Sequence, residues 1–307
     1  KNKHYPQGFN GRLVKTRLMT KLDQIGLIHK TALINDLNFH YVEAGEGPLV
    51  VLLHGFPEFW LSWRHQIPAL VAAGYRVIAP DMRGYNLTDS PSRVSQYKIE
   101  VLASDIVGLI KHAGEQKAHV VGHDWGAAVA WQVAMRYPEI INQLAILNVP
   151  HPRAFQKGIR RPSQLIKSWY MFFFQIPLLP ELLLSRRYRK VMRKIATKHY
   201  VNQGKLTDSD IDAYSTVFNN RKSLRGPINY YRAALRSPFS TRKSIGVINA
   251  KTLVIWGRKD RYLGIRLAQP SSEDVPNCRL EYLDASHWVQ QDSHLEVNKL
   301  LIDFFTV

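Results

Sequence analysis

The sequence predicts an α/β protein: a mostly parallel sheet, covered by helices on both faces and interrupted by an inserted helical cap. Three features point to it. In the first half of the 307-residue chain, short apolar runs alternate with amphipathic stretches at the spacing of βα units. After Asn148 that rhythm stops, because Pro150, His151 and Pro152 punctuate the chain and a helical, basic, aromatic region runs to about Arg236. From Lys251 the strand signals resume, so the middle segment reads as an insertion into one sheet.

In chain order, His40 to Ala44, Leu49 to Leu53, Arg76 to Pro80, His119 to Val121 and Leu144 to Leu147 read as strands, rich in Val, Ile and Leu as doubly covered strands are. Ser62 to Ala73, Ile99 to His112 and Ala127 to Tyr137 carry the three-and-four spacing of helices and end on Gly74, Gly114 and Pro138. Lys251 to Trp256 and Arg279 to Leu283 read as two further strands, and Leu295 to Phe305 as a closing helix. The expected organisation is therefore a first core part over 1–149 with an N-terminal extension over 1–22, a cap over 150–236, and a second core part over 237–307.

Composition sets the outer limits. With 45% hydrophobic and 11% aromatic residues the chain is an ordinary globular one, long enough to bury a core without staples. The single cysteine, Cys278, excludes an internal disulfide and fits a reducing compartment, so a cytoplasmic or peripheral membrane location is expected. The chain opens on Lys1 without a methionine, which is compatible with an upstream anchor or signal having been removed. Its longest apolar stretch, Trp169 to Leu184, is broken by Pro177, Pro180 and Glu181 and is short for a bilayer span.

The formal net charge of +18 invites a nucleic-acid reading, but its distribution argues against one. Between Arg153 and Lys205, Arg160, Arg161, Arg186, Arg187, Arg189, Lys190, Arg193 and Lys194 follow or flank apolar aromatics, with Glu181 the only acid. That pairing suits contact with anionic lipid; the bland alternative is a solvated basic face with no partner.

Most of the chemical content lies in Gly122-His123-Asp124-Trp125-Gly126, set between an apolar strand and a helix. Glycines permit a sharp turn that exposes the central side chain and places backbone N–H groups at a helix start. A lone Asp there would only cap the helix, but the strand-turn-helix setting favours a nucleophile. A carboxylate is already ionised at neutral pH and attacks carbon without a base, leaving an alkyl ester on Asp124. Hydrolysis of that ester then needs a base and an oxyanion hole.

His287, just beyond the last predicted strand, is the base selected by position and by the chain order nucleophile, acid, histidine. Asp260, after the apolar run ending at Trp256-Gly257, is the orienting acid; the other place for such an acid falls near Asn148, which carries no charge. The backbone of Phe56, in His54-Gly55-Phe56-Pro57, and that of Trp125 are expected to form the oxyanion hole. The side chains of His54, Pro57, Trp125 and Trp288 are expected to contact substrate. No metal or cofactor is required.

Together with Asp81-Met82-Arg83-Gly84-Tyr85, these motifs make the chain resemble the epoxide hydrolases of the α/β-hydrolase fold, from about Leu37 to Phe305, and most closely the epoxide-hydrolase-like proteins that often carry an N-terminal membrane anchor. The resemblance implies an eight-stranded sheet, a small hydrophobic epoxide as substrate, and two cap tyrosines donating to the epoxide oxygen, at Tyr170 and at Tyr231 rather than its neighbour Tyr230. Relatives commonly have glycine where this chain has Asn86, which opens a formal glycosylation sequon, Asn86-Leu87-Thr88, expected to be an accidental one in a turn near the active-site mouth. The competing readings are a dehalogenase using the same Asp nucleophile and a binding protein that has kept the fold without the activity. Trp125, where haloacetate-type relatives have Arg, and the tyrosine pair both favour the epoxide.

Overall fold

A computed structural model describes residues 22, 24–198, 200, 206–236 and 246–306. Apart from Leu22, the expected N-terminal extension lies outside the described residues, as does 237–245 at the expected return from cap to core. Among the described residues the backbone is one sheet of eight strands: β1 (Ile28–Ile34), β2 (Leu37–Ala44), β3 (Leu49–Leu53), β4 (Arg76–Pro80), β5 (Ala118–His123), β6 (Ile141–Leu147), β7 (Thr252–Gly257) and β8 (Cys278–Leu283). Their order is β1-β2-β4-β3-β5-β6-β7-β8, with β2 antiparallel to both neighbours and every other pairing parallel.

Strand β1 was not among those expected. It is an edge strand, mostly half-buried or exposed, so its apolar residues do not form the continuous run that marks β3, β5 and β7, which are buried throughout. It joins β2 through Asn35-Asp36, both with positive φ (49° and 60°), the two-residue turn that matches strand twist and that Asn and Asp tolerate.

The expected helix over 62–73 is two pieces, a 3₁₀ turn at Trp60–Trp63 and α1 at Gln66–Ala72. Pro68 decides the break, because proline is tolerated only in a first helical turn, where its missing N–H has no partner to lose. Helices α2 (Ile99–His112) and α3 (Trp125–Arg136) follow, the latter beginning two residues earlier than the spacing predicts, directly after Asp124.

Between β6 and β7 the described chain is helical: α4 (Pro152–Gly158), α5 (Pro162–Lys167), α6 (Trp169–Phe173), α7 (Leu179–Lys198), α8 (Asp208–Val217) and α9 (Arg221–Arg236). Arg232 of α9 holds this layer together. Buried beneath α7, it pairs with Glu181 at 2.6 Å and donates to the carbonyls of Phe174 and Ile176. Close backbone approach seats α9 on the sheet side, where a Cβ at Gly226 would stand 2.5 Å from the carbonyl of Gly84. The short α10 (Val289–Asp292) and α11 (His294–Phe305) close the chain.

Candidate active site

Strand β5 delivers Asp124 into a turn with φ 49° and ψ −122°, a conformation that an L side chain adopts at a cost and that points its carboxylate away from both strand and helix. Crowding on both sides requires glycine. A Cβ at Gly122 would lie 2.5 Å from the carbonyl of Gly126, and one at Gly126 only 2.1 Å from that of Leu53.

The two oxygens of Asp124 are treated differently. Oδ1 accepts the backbone N–H of Phe56 at 2.7 Å, whereas Oδ2 faces His287 Nε2 at 3.4 Å. Nδ1 of His287 lies 2.7 Å from Asp260 Oδ2, so the imidazole bridges two carboxylates from opposite ring atoms. Asp260 is pinned in turn: its Oδ1 accepts the N–H groups of Tyr262 (2.7 Å) and Leu263 (2.9 Å), and its Oδ2 accepts Nδ2 of Asn148 (2.8 Å).

Electrostatics follow from this arrangement. Burial disfavours a charged His287, but Asp260 and Asp124 outweigh it and push the imidazole up to about 10. Burial also works against ionised Asp124 and Asp260, yet the charge and hydrogen bond of His287, with backbone donors, leave both below the usual carboxylate range. At neutral pH the resting site is a carboxylate–imidazolium–carboxylate row.

Facing it, an apolar cavity of about 210 Å³ runs from Asp124 and Trp125 between α3 and the helical layer, with Trp131, Phe155 and Met171 among its walls. Tyr170 and Tyr231 line it and lie edge to face, their rings 5.8 Å apart. Burial, and then the charge of Asp124, raise both phenols well above 10, so each is a protonated donor. Tyr230 also lines the cavity, but its hydroxyl already donates to the carbonyl of Arg83 at 2.9 Å.

Three of the expected substrate contacts do not line this cavity. His54 is fully buried and holds loops, accepting the N–H of Met82 at 2.9 Å through Nε2 and donating from Nδ1 to the carbonyl of Gly55. Pro57 is buried, and its carbonyl accepts the hydroxyl of Tyr188. Trp288 packs edge to face with His287 and stacks on Tyr200 at 5.5 Å and 6°. Only Trp125 of the four is at the cavity wall.

Other contributors escaped the sequence reading. Asn148, buried and at φ 53°, holds both Asp260 and the N–H of Gly257, a role visible only once β6 and β7 are known to be neighbours. Glu58 and His123 form a buried pair, with His123 Nε2 donating to the carbonyl of His287 at 2.9 Å. Tyr262 packs its ring between Tyr170 and His287. The sequon is used internally: Asn86, at φ 45°, gives its amide to Asp81 at 2.7 Å, and the Thr88 hydroxyl donates to the Asp81 carbonyl. That left-handed φ is one that glycine takes without strain and asparagine tolerates, and an amide so engaged is a poor sugar acceptor.

Comparison with known proteins adds independent weight. A family model for the alpha/beta hydrolase fold matches residues 48–293. Epoxide hydrolase 4 of Homo sapiens is 42% identical over 278 residues, covering 87% of this chain and 75% of its own, and an AB hydrolase superfamily protein of Bacillus subtilis is 39% identical over 88% and 95%. Among solved structures, epoxide hydrolase A from Mycobacterium thermoresistibile superposes with a TM-score of 0.80 at 32% identity, covering 91% of this chain and 98% of its own, and an epoxide hydrolase from Vigna radiata with 0.78 at 28% over the same shares. With the strand order, the Asp124 turn and the bridging histidine, these similarities show that the chain belongs to the epoxide hydrolases of the α/β-hydrolase fold.

Proposed function

We propose that the protein converts a small hydrophobic epoxide and water into a vicinal diol through a covalent ester on Asp124. The observation that carries this reading is the split carboxylate: one oxygen engaged by a backbone donor, the other turned toward the imidazole and the cavity.

In the first half-reaction, Oδ2 of Asp124 attacks an epoxide carbon, the C–O bond breaks, and its electron pair goes to the ring oxygen. Tyr170 and Tyr231 supply hydrogen bonds and a proton to that oxygen, which a carboxylate could not do. The ester has no charge on Asp124, so His287 loses one of the two carboxylates that held it protonated, and its basicity falls toward the useful range. His287 passes its proton to the phenolate left by the first step, and the neutral imidazole then takes a proton from water attacking the Asp124 carbonyl carbon. The N–H groups of Phe56 and Trp125 receive the resulting oxyanion, which collapses to release diol and return the carboxylate. On collapse the hydroxyl proton of the tetrahedral intermediate goes to the departing alkoxide, so His287 ends the cycle as the imidazolium with which it began. In this scheme Asp260 orients the imidazole through Nδ1.

A single turnover in H₂¹⁸O tests the scheme. Hydrolysis at the Asp124 carbonyl puts the label into Asp124 before it reaches diol; label entering diol directly in the first turnover would overturn the covalent route. The dehalogenase reading rests on the same triad, and a panel of epoxides and alkyl halides scored for diol and halide release separates the two.

A further inference from the structure

Among the described residues, eight of the thirteen large apolar side chains that stand exposed fall within 165–183, on α5, α6, the following loop and the start of α7. Ile166 is 73% exposed, Trp169 63% and Leu178 65%. Monomeric proteins seldom leave so much apolar surface uncovered in one stretch without a use for it.

Helix α7 joins this patch to the basic one. At 3.6 residues per turn, Leu179, Leu183, Arg187, Lys190 and Lys194 fall within an arc of about 100°, and all five are exposed. The opposite side, with Tyr188, Met192 and Ile195, is buried. Along one exposed face the helix thus runs from leucines beside the apolar patch to cations. Arg189 and Arg193 are partly neutralised by Asp212 and Asp208, but Arg186, Arg187, Lys190 and Lys194 have no acidic partner among the described residues. Arg186, Arg187, Lys190 and Arg193 also wall a surface concavity of about 470 Å³ between α7 and α8.

We propose that this face of the helical layer seats the protein on the surface of an anionic lipid bilayer, with the 165–183 apolar residues entering the headgroup boundary and the α7 cations meeting lipid phosphates. Charge complementarity selects this occupant: apolar side chains beside unpartnered cations fit a negative surface with an apolar interior, and no helix among the described residues is long and apolar enough to cross it. The two sides of α6 give the contact a consequence for catalysis. Trp169 and Phe172 are exposed, whereas Tyr170 and Met171 line the cavity, so the bilayer would lie one helix width, about 10 Å, from the reacting groups. Resting on the epoxide reading, a lipophilic epoxide dissolved in that bilayer would have a short path to Asp124.

The test is co-sedimentation of the full chain with vesicles of phosphatidylcholine alone and with phosphatidylserine added, a readout independent of turnover. Expected is binding to the anionic vesicles that weakens with salt. Arg187→Gln, Lys190→Gln and Lys194→Gln together should weaken it roughly a hundredfold, at about fivefold per charge. Trp169→Ser and Phe172→Ser should each cost roughly tenfold, with turnover of a water-soluble epoxide serving as the check on folding. Wild-type protein left in the supernatant, or variants that bind as tightly as wild type, would overturn the proposal. So would a concentration-dependent dimer in the absence of lipid that Trp169→Ser abolishes, which would assign the face to a second copy of the chain.

Discussion

Asp124, His287 and Asp260 hang from the ends of strands, and Tyr170 and Tyr231 from helices laid over them, and the two sets are held by different forces. The strand-end groups are fixed by short directional bonds, with Phe56 on Asp124 and with Tyr262, Leu263 and Asn148 on Asp260. The tyrosines are held by ring packing, Tyr231 against Phe56, Trp125 and Phe174, and Tyr170 against Phe174 and Tyr262. Charges that exchange partners during a cycle need preorganised neighbours, because reorienting dipoles around them raises the barrier. A neutral phenol that donates one hydrogen bond tolerates the softer grip of apolar contact, which also keeps its pKa high.

The sharpest break of this comparison is removal of the charges. Asp124→Ala should abolish turnover, while circular dichroism shows an intact fold, since the proposed scheme uses the side chain as nucleophile and not as a packing element. His287→Gln should still be alkylated and then stall, gaining the mass of one epoxide; a dead variant that never gains mass would reassign the base. In the overlying layer the loss is graded. Tyr170→Phe and Tyr231→Phe should slow alkylation, the pair by about 10²- to 10⁴-fold, with single effects that do not add because both act on one oxygen. Stopped-flow alkylation rates read this directly, and unchanged rates in all three variants would remove the tyrosines from the mechanism.

A smaller effect should come from Asn148→Ala. It strips a donor from Asp260 and leaves the N–H of Gly257 buried without its partner, costing about 1–3 kcal/mol of stability. Thermal melting measures that loss, and ester hydrolysis should slow more than alkylation does.

The mildest test is of pH. A folded-state pKa near 10 against an ordinary 6.5 means that His287 stabilises the fold fully below 6.5 and loses that contribution as pH rises through 10. Asp124 and Asp260, both lowered, act the other way, losing their contribution as pH falls below the ordinary 3.8. In Asp124→Asn, one carboxylate beside the imidazole is gone, so NMR titration should find the His287 pKa lowered and the alkaline decline in melting temperature shifted to lower pH.

The same division explains what could be read from the sequence. Asp124, His287 and Asp260 were legible because strand ends are marked by apolar runs, and the glycines around Asp124 announce a sharp turn. Asn148 was not, since its importance depends on β7 lying beside β6, more than a hundred residues later in the chain. The stacking of Trp288 on Tyr200 was not legible either, because adjacency to His287 in sequence says nothing about which neighbour a side chain takes. Tyr230 and Tyr231 illustrate the same limit: consecutive helical residues point about 100° apart, and only the fold decides which hydroxyl is committed to Arg83. Strand β1 was hidden by its edge position, although Asn35-Asp36 is the kind of pair that starts a hairpin.

The amide of Phe56 has a consequence for anyone mapping this protein by mutation. Its donor to Asp124 belongs to the main chain, so exchanging the residue changes a ring that packs on Tyr231 and leaves the donor in place. A scan of side chains would score position 56 for its aromatic contacts and miss its main-chain bond to Asp124. The substitution that reaches the donor is at its neighbour: a Cβ on Gly55 would stand 2.3 Å from that of Asp124, forcing the loop and its amide away from the carboxylate. In a mutational landscape the proposed oxyanion hole should therefore appear as intolerance at a glycine, one position removed from the amide that donates to Asp124.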